Sequence, residues 1–437
     1  TPRVPGSSLY GIIDQETNQT QVNNGQGGTF RTTGQSYGQY ALDMTDDYVI
    51  GGSEYVSLYG DARSSAGMAM IWSRTTRNPI VLLQNPLSYE GYIDSDNGIH
   101  QARFGNAVGL GSDSTYDYAV VAAPYHYDTN GYTPKIFVFR TTNGFVTTSL
   151  YKTITLPKTT QARVINQWKM SVHKNWCVIG DDSSANSNTG NIYYFDISAS
   201  GSSYSTGPTI STERMGGHVD WSPDNSEFIG GAPQWASTQG STTYNETGLS
   251  KVYYRSNGAL KRQVLGTSYA GTATNRTRFR FGQGVGFTEN NYLIASCGDD
   301  YNSLTNQGRI RIFRQSNNGL TGTVNAPAAL ATAGNGGGDT VQYMKANKSG
   351  HFVVNWSTID GNSDTYGDTL GQRICIYNEA GTLLTSYNSP GQTTWTRKNG
   401  SETTWTLQWR QTPAISESYV AIAAANPGNG PTRIYIY

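Results

Sequence analysis

Seven short segments, each built like a strand and each closing on an aromatic ring, recur along this chain at near-regular intervals. They are Met68 to Trp72 (MAMIW), Lys135 to Phe139 (KIFVF), Asn191 to Phe195 (NIYYF), Ser250 to Tyr254 (SKVYY), Arg309 to Phe313 (RIRIF), Arg373 to Tyr377 (RICIY) and Arg433 to Tyr437 (RIYIY). The closing aromatics are separated by 67, 56, 59, 59, 64 and 60 residues. Self-similarity at such a period marks a repeat architecture, whose units bury their apolar faces only against neighbours. The chain of 437 residues is therefore read as one array and not divided by length into separate domains.

The stretch from Phe281 to Arg314 shows what one unit contains. Gly284 to Phe287 and Tyr292 to Ser296 are short apolar runs, and Arg309 to Phe313 alternates with a period of two. A polar turn, Thr288 to Asn291, separates the first two, and a long polar loop, Cys297 to Gly308, separates the second from the third. The order is strand a, short turn, strand b, long loop, strand c. Strand b recurs at Tyr48 to Ile50, Tyr118 to Val121, Trp176 to Ile179, Glu227 to Ile229, Tyr292 to Ile294, His351 to Val354 and Tyr419 to Ile422. Strand a precedes it at Tyr37 to Leu42, Phe104 to Gly109, Gln167 to Val172, Gly217 to Trp221, Phe281 to Phe287, Val341 to Met344 and Trp405 to Trp409. Gly38, Gly105, Gly217 and Gly282 fall in this strand, and glycine there implies that backbones approach closely, as on the innermost strand of a propeller.

After strand c come tight-turn signals such as Asn143-Gly144, Asn257-Gly258 and Asn318-Gly319, then a fourth strand such as Ile80 to Gln84, Leu260 to Val264 or Leu383 to Tyr387. Four antiparallel strands per unit with no helical periodicity predict an all-β, seven-bladed β-propeller. The blades fall near 31–90, 91–160, 161–212, 213–270, 271–332, 333–392 and 393–437, with 1–30 as closing strand and linker. The seventh unit ends on its third strand, while Leu9 to Asp14 (LYGIID) has strand character and no unit of its own. The N-terminal segment is therefore expected to complete the last blade, removing the free edges of an open ring.

Composition narrows the function. Formal net charge is zero and 14% of residues are charged, so there is no basic footprint for nucleic acid. No apolar run approaches the roughly 18 residues of a membrane span. The chain starts at Thr1 with no signal-like segment, and its Gly-, Ser-, Thr-, Asn- and Tyr-rich surface resembles that of secreted and virion proteins. Cys177, Cys297 and Cys375 sit in separate repeats without paired spacing and are read as buried free thiols.

Phe104-Gly105-Asn106-Ala107-Val108, then Val120-Val121-Ala122-Ala123-Pro124, then Ile136 to Phe139 together resemble the FG-GAP repeat of integrin α-subunit propellers. Phe281-Gly282 with Val285 repeats the first part, and Gly231-Ala232-Pro233 the second. The resemblance implies a seven-bladed propeller and, in that family, a calcium loop between strands a and b. The corresponding turns here lack acidic residues at alternate positions, and no metal or cofactor is expected. Asp94 to Gly98 has the look of such a loop but lies ahead of strand a.

Function is expected on the face that carries the long loops between strands b and c, since long loops on a rigid frame carry binding groups. The aromatics Tyr125, Tyr127, Tyr132, Trp235, Tyr244, Tyr301 and Tyr366 stand in those loops among Asn, Ser and Thr, offering stiff amphipathic contact area. The pairs Asp181-Asp182 and Asp299-Asp300 are adjacent in sequence, so their side chains point apart and serve as loop caps better than as a catalytic dyad. His100, His126, His173, His218 and His351 have no ligand spacing, and no nucleophile elbow occurs. Sequons at Asn18, Asn245, Asn275, Asn347, Asn355 and Asn399 are near chance frequency, with Asn355 beside a core strand. The expected function is non-enzymatic: a binding or assembly module, extracellular or on a virus particle, contacting a protein or a glycan. A carbohydrate-binding propeller is the first alternative and a propeller hydrolase, whose carboxylates meet only in the fold, the second.

Overall fold

In the computed structural model, the described residues are 5, 8–14, 41–54, 67–86, 102–128, 131–157, 168–181, 190–207, 213–239, 242–244, 247–269, 279–301, 304–327, 339–358, 372–396, 402–409, 413–425 and 432–437. They form seven antiparallel sheets ordered a-b-c-d from the inside outward, plus two small hairpins. Blade 2 is representative: Ala107–Ser112, Asp117–Ala123, Lys135–Thr141 and Ser149–Thr155. Apart from a 3-10 turn at Gly266–Ser268, the described residues contain no helix, and so none long and apolar enough to cross a membrane.

The core follows from the period of two. Along strand b of blade 2, Ala119, Val121 and Ala123 join the cluster shared with blade 1, while Tyr118, Val120 and Ala122 join the cluster shared with blade 3. Both faces of each sheet are thus covered, which is why strands b read as continuous apolar runs. The molecule has no single core. Among the described residues there are seven, one between each pair of neighbouring blades, and the seventh joins blade 7 to blade 1.

Closure occurs as the N-terminal strand character implies. Gly11–Asp14 pairs antiparallel with Thr432–Ile436, Ile13 opposite Ile434, and becomes the outer strand of blade 7. Ile13 is fully buried in the cluster between blades 7 and 1. On the turn side, the Arg74 guanidinium of blade 1 lies between the rings of Tyr10 and Tyr419, 4.9 and 4.1 Å from their centroids. Asp46 of blade 1 accepts from the N–H and hydroxyl of Ser418 in blade 7, at 3.1 and 2.9 Å.

Four expectations need correction. Strand a begins later than the apolar pattern suggests: Phe104-Gly105 and Phe281-Gly282 precede Ala107–Ser112 and Gly284–Phe287, because Gly105 and Gly282 take φ of 89° and 92° and turn the chain. The close approach that these glycines signal lies between blades, not at the axis. A Cβ on Gly52 would sit 1.9 Å from the Gly105 carbonyl oxygen, and one on Gly231 would sit 2.1 Å from that of Gly282. The loop Cys297 to Gly308 is instead a continued hairpin, since Asn291–Tyr301 pairs with Leu304–Arg314 out to Tyr301 opposite Leu304. In blade 7, Glu402–Trp409 pairs mainly with an unanticipated strand, Gly391–Thr396; only Gln408 and Trp409 touch strand b, and Ala414–Ile415 completes the inner edge.

Candidate binding face and central channel

In a ring with this topology, the b–c and d–a connections leave one face and the a–b and c–d turns the other. The first face carries the projecting elements. In blade 2 Tyr127–Asp128 pairs with Gly131–Tyr132, and in blade 4 Ser237–Gln239 pairs with Thr242–Tyr244. In blade 5 strands b and c themselves extend, and in blade 7 Gly391–Thr396 pairs with Glu402–Trp409. The opposite face is drawn tight by its turns: the Glu379 carboxylate of blade 6 accepts from the Asn290 N–H and side-chain amide of blade 5, at 3.1 and 2.9 Å.

The predicted contact aromatics divide into two groups. Tyr127 and Tyr132 are cross-strand partners at the root of one hairpin, Tyr244 ends a second opposite Ser237, and Tyr301 reaches the tip of the third. Tyr125 and Trp235 belong to the frame. Tyr125 is 7% exposed with the Arg103 guanidinium 4.3 Å from its ring centroid. Trp235 packs on the cluster between blades 3 and 4, and its carbonyl accepts from Gly248 N–H at 2.9 Å. Tyr366 and the Asp94 to Gly98 loop lie outside the described residues.

Other singled-out residues are structural. Cys177 and Cys375 are buried free thiols, and Asn355 is fully buried. Asn347 is buried too, its amide donating to Ser416 O at 2.9 Å, so neither is a sugar acceptor. Asp113 spends its carboxylate on Thr115 N–H, Tyr116 N–H and the Tyr118 hydroxyl within one turn. Among the described residues no three His, Cys, Asp or Glu side chains converge as a metal site.

Sequence reading missed the charges that strands a bring together from distant repeats in the central channel. Near the turn face a cavity of about 340 Å³ is lined by Asp43, Ser171, His173, Asp220, Lys345 and Lys348, among others. Asp220 accepts from Ser171 Oγ at 2.6 Å, Phe287 N–H at 2.7 Å and Lys348 Nζ at 2.6 Å, tying blades 3, 4, 5 and 6. Asp43 is its counterpart, accepting the Leu110 N–H at 2.8 Å; in both cases donor and acceptor are 67 residues apart. That shared offset, together with A-L-D-M and H-V-D-W at equivalent places, was the available signal.

Burial pushes the Asp43 carboxyl up to about 6, with Lys345 partly opposing, and pushes His173 down to about 4. Burial also lowers Lys348 below the usual ammonium range, Asp220 opposing it. The fold thus favours protonated Asp43, and the stability this proton confers is complete below pH 3.8 and lost as pH rises through about 6. Asp43→Asn keeps an acceptor for Leu110. It is expected to be more stable than the parent at pH 8 by up to about 3 kcal/mol, the advantage vanishing below pH 4. Urea unfolding of both proteins at pH 8, 6 and 3.5 checks this; an advantage independent of pH would refute the assignment.

No protein-family model matches the chain, and no curated protein does. Solved structures do. The WD40 repeats of RRP9 align over 100% of this chain and 99% of theirs, at 8% identity and a TM-score of 0.50. U3-55K aligns over 92% of this chain and 96% of its own, at 8% identity and a TM-score of 0.49. The fold is a seven-bladed propeller. At 8% identity the likeness to a WD40 ring concerns the fold alone.

Proposed function

We propose that this propeller is a non-enzymatic scaffold that binds a protein partner through the face bearing the b–c hairpins. The observation that carries the reading is the asymmetry of the two faces: paired hairpins tipped or rooted by Tyr127, Tyr132, Tyr244 and Tyr301 on one, tight hydrogen-bonded turns on the other. Hairpins present side chains on a backbone already ordered, which lowers the conformational cost of binding. With zero net charge, steering is a minor contribution, and affinity rests on aromatic and amide contacts. The low-charge, tyrosine-rich composition favours a setting outside the cell or on a virus particle.

The FG-GAP resemblance bears on this reading only locally. Phe281-Gly282 of blade 5 docks its backbone on Gly231, ahead of Ala232-Pro233 of blade 4, so the motif has a packing role at a blade junction. The RRP9 ring that this fold resembles is built of WD40 repeats, and membership in the integrin-like family is not part of the proposal.

The test begins with the protein isolated from its source together with whatever protein or particle co-purifies. A variant carrying Tyr127→Ser, Tyr132→Ser, Tyr244→Ser and Tyr301→Ser is expected to rebind that component at least about tenfold more weakly, since interface tyrosines are frequent anchors. Its melting midpoint should move by less than about 2 °C, as these positions lie on hairpin extensions beyond the blade strands. Undiminished rebinding would sink the assignment of the face. Saturable binding on a glycan array, lost in the same variant, would replace the protein partner with a carbohydrate.

A further inference from the structure

The opposite end of the channel, at the hairpin face, differs in character from the carboxylate-rich end. A cavity of about 30 Å³ there is lined on its polar side by Trp168, Lys169, His218, Tyr343 and Lys345, and among the described residues no Asp or Glu lines it. Trp168 is 4% exposed, and its indole Nε1 has no hydrogen-bond partner. An indole N–H can only donate, so what Trp168 lacks is an acceptor. Two lysines line the same space: Lys345 Nζ donates to Met170 O at 2.9 Å, and Lys169 Nζ lies 4.5 Å from the Tyr343 ring centroid. His218, with its ring 5.7 Å from that of Tyr343, is held neutral by burial and then by Lys169 and Lys345. Deeper in the channel, Asp43 faces Lys345 from the other side, and Asp220 has both carboxylate oxygens engaged.

We propose that this throat binds one small monovalent anion, a halide or a carboxylate head, between the Trp168 indole N–H and the ammonium groups of Lys169 and Lys345. The space suits a single occupant of about water size. Water would satisfy the indole but bring no charge, whereas an anion accepts from Trp168 and sits in the field of two cations in a low-dielectric channel. The site joins strands a of blades 3 and 6 across the axis, so occupancy stabilises the closed ring by mass action.

The experiment measures the melting midpoint of the whole chain against rising sodium bromide and, separately, sodium formate. Sodium gluconate, too large for the cavity, holds ionic strength constant. The parent protein is expected to show a saturating rise, and Trp168→Phe to move half-saturation about tenfold higher, as loss of one charge-assisted hydrogen bond requires. Lys169→Gln, which alters a charge without emptying the core, is expected to weaken binding at least as much, and it carries the test should Trp168→Phe fail to fold. Crystals soaked in bromide should show an anomalous peak within hydrogen-bonding distance of Trp168 Nε1. A response to bromide alone assigns a halide, and one to formate alone a carboxylate. A non-saturating response, a response unchanged in the folded variants, or a throat holding only water in the bromide crystal overturns the proposal.

Discussion

Ile13→Asp is expected to unlatch the ring. Ile13 is fully buried between blades 7 and 1, on a four-residue strand, Gly11–Asp14, that is paired with the last strand of the chain. The substitution places an unpaired carboxylate in that cluster and deletes an isoleucine's worth of burial, so a loss of about 4 kcal/mol or more is expected. For a ring unfolding as one unit, the specific unfolding entropy converts this to roughly 4 to 5 °C in the melting midpoint. Opening should come before global unfolding. Amide exchange in Thr432–Ile436 should therefore accelerate more than in the corresponding strand of blade 2, Lys135–Thr141, while Ile13→Ala should show the same pattern at smaller amplitude. An Ile13→Asp protein that melts with the parent, or exchanges uniformly, would mean that the ring is not held shut at this seam.

Gly105→Ala is the second large effect. A Cβ at this position would lie 2.2 Å from the Met68 carbonyl oxygen, and the residue holds φ at 89°. Left-handed strain of about 1 to 2 kcal/mol adds to about 1 to 3 kcal/mol for forcing two backbones apart, giving roughly 2 to 5 kcal/mol in all. Gly282→Ala repeats the test between blades 4 and 5, where a Cβ would meet the Leu249 carbonyl at 2.5 Å and φ is 92°. Gly201→Ala is the control, since its nearest neighbour would be the Ser203 hydroxyl at 3.7 Å, and its change should stay within about 0.5 kcal/mol. Chemical denaturation midpoints decide it: equal values for all three would remove the claim that blades touch through these glycines.

Much of the architecture was legible because a strand covered on both faces leaves a strong local record. Met68–Ser73, Asn191–Asp196 and Arg373–Asn378 lie within a residue of the segments read from pattern alone, and Leu9 to Asp14 announced the closing strand by lacking a partner nearby. Where the pattern erred, geometry that it does not record was at work. Phe104 and Phe281 are as apolar as a strand residue, but a positive φ at the next glycine ends the preceding segment there. Gly391–Thr396 went unread because a Thr-rich hairpin outside the repeat carries no apolar period, yet it pairs with Glu402–Trp409 along its whole length. Arg311, polar in an alternating strand, is nonetheless 4% exposed, with the Tyr269 ring centroid 4.9 Å from its guanidinium.

The candidate sites separate along the same line. The face bearing the hairpins could be located from loop lengths, and four of the tyrosines stand on those hairpins, but only packing showed that Tyr125 and Trp235 are bound into the frame. The channel was out of reach. Trp168, Lys169 and Lys345 belong to blades on opposite sides of the axis, and nothing short of ring closure makes them neighbours.

The amino-acid sequence by itself determined the number of blades, the order of strands within each and the role of the N-terminal segment, because periodic burial and turn chemistry act over a few residues and repeat in every unit. Tertiary structure alone decided which glycines touch, which loop aromatics are bound into the frame, and which charges meet at the axis. Those contacts join residues tens to hundreds of positions apart, such as Lys345 and Met170 or Asp46 and Ser418, whose proximity exists only once the ring has closed.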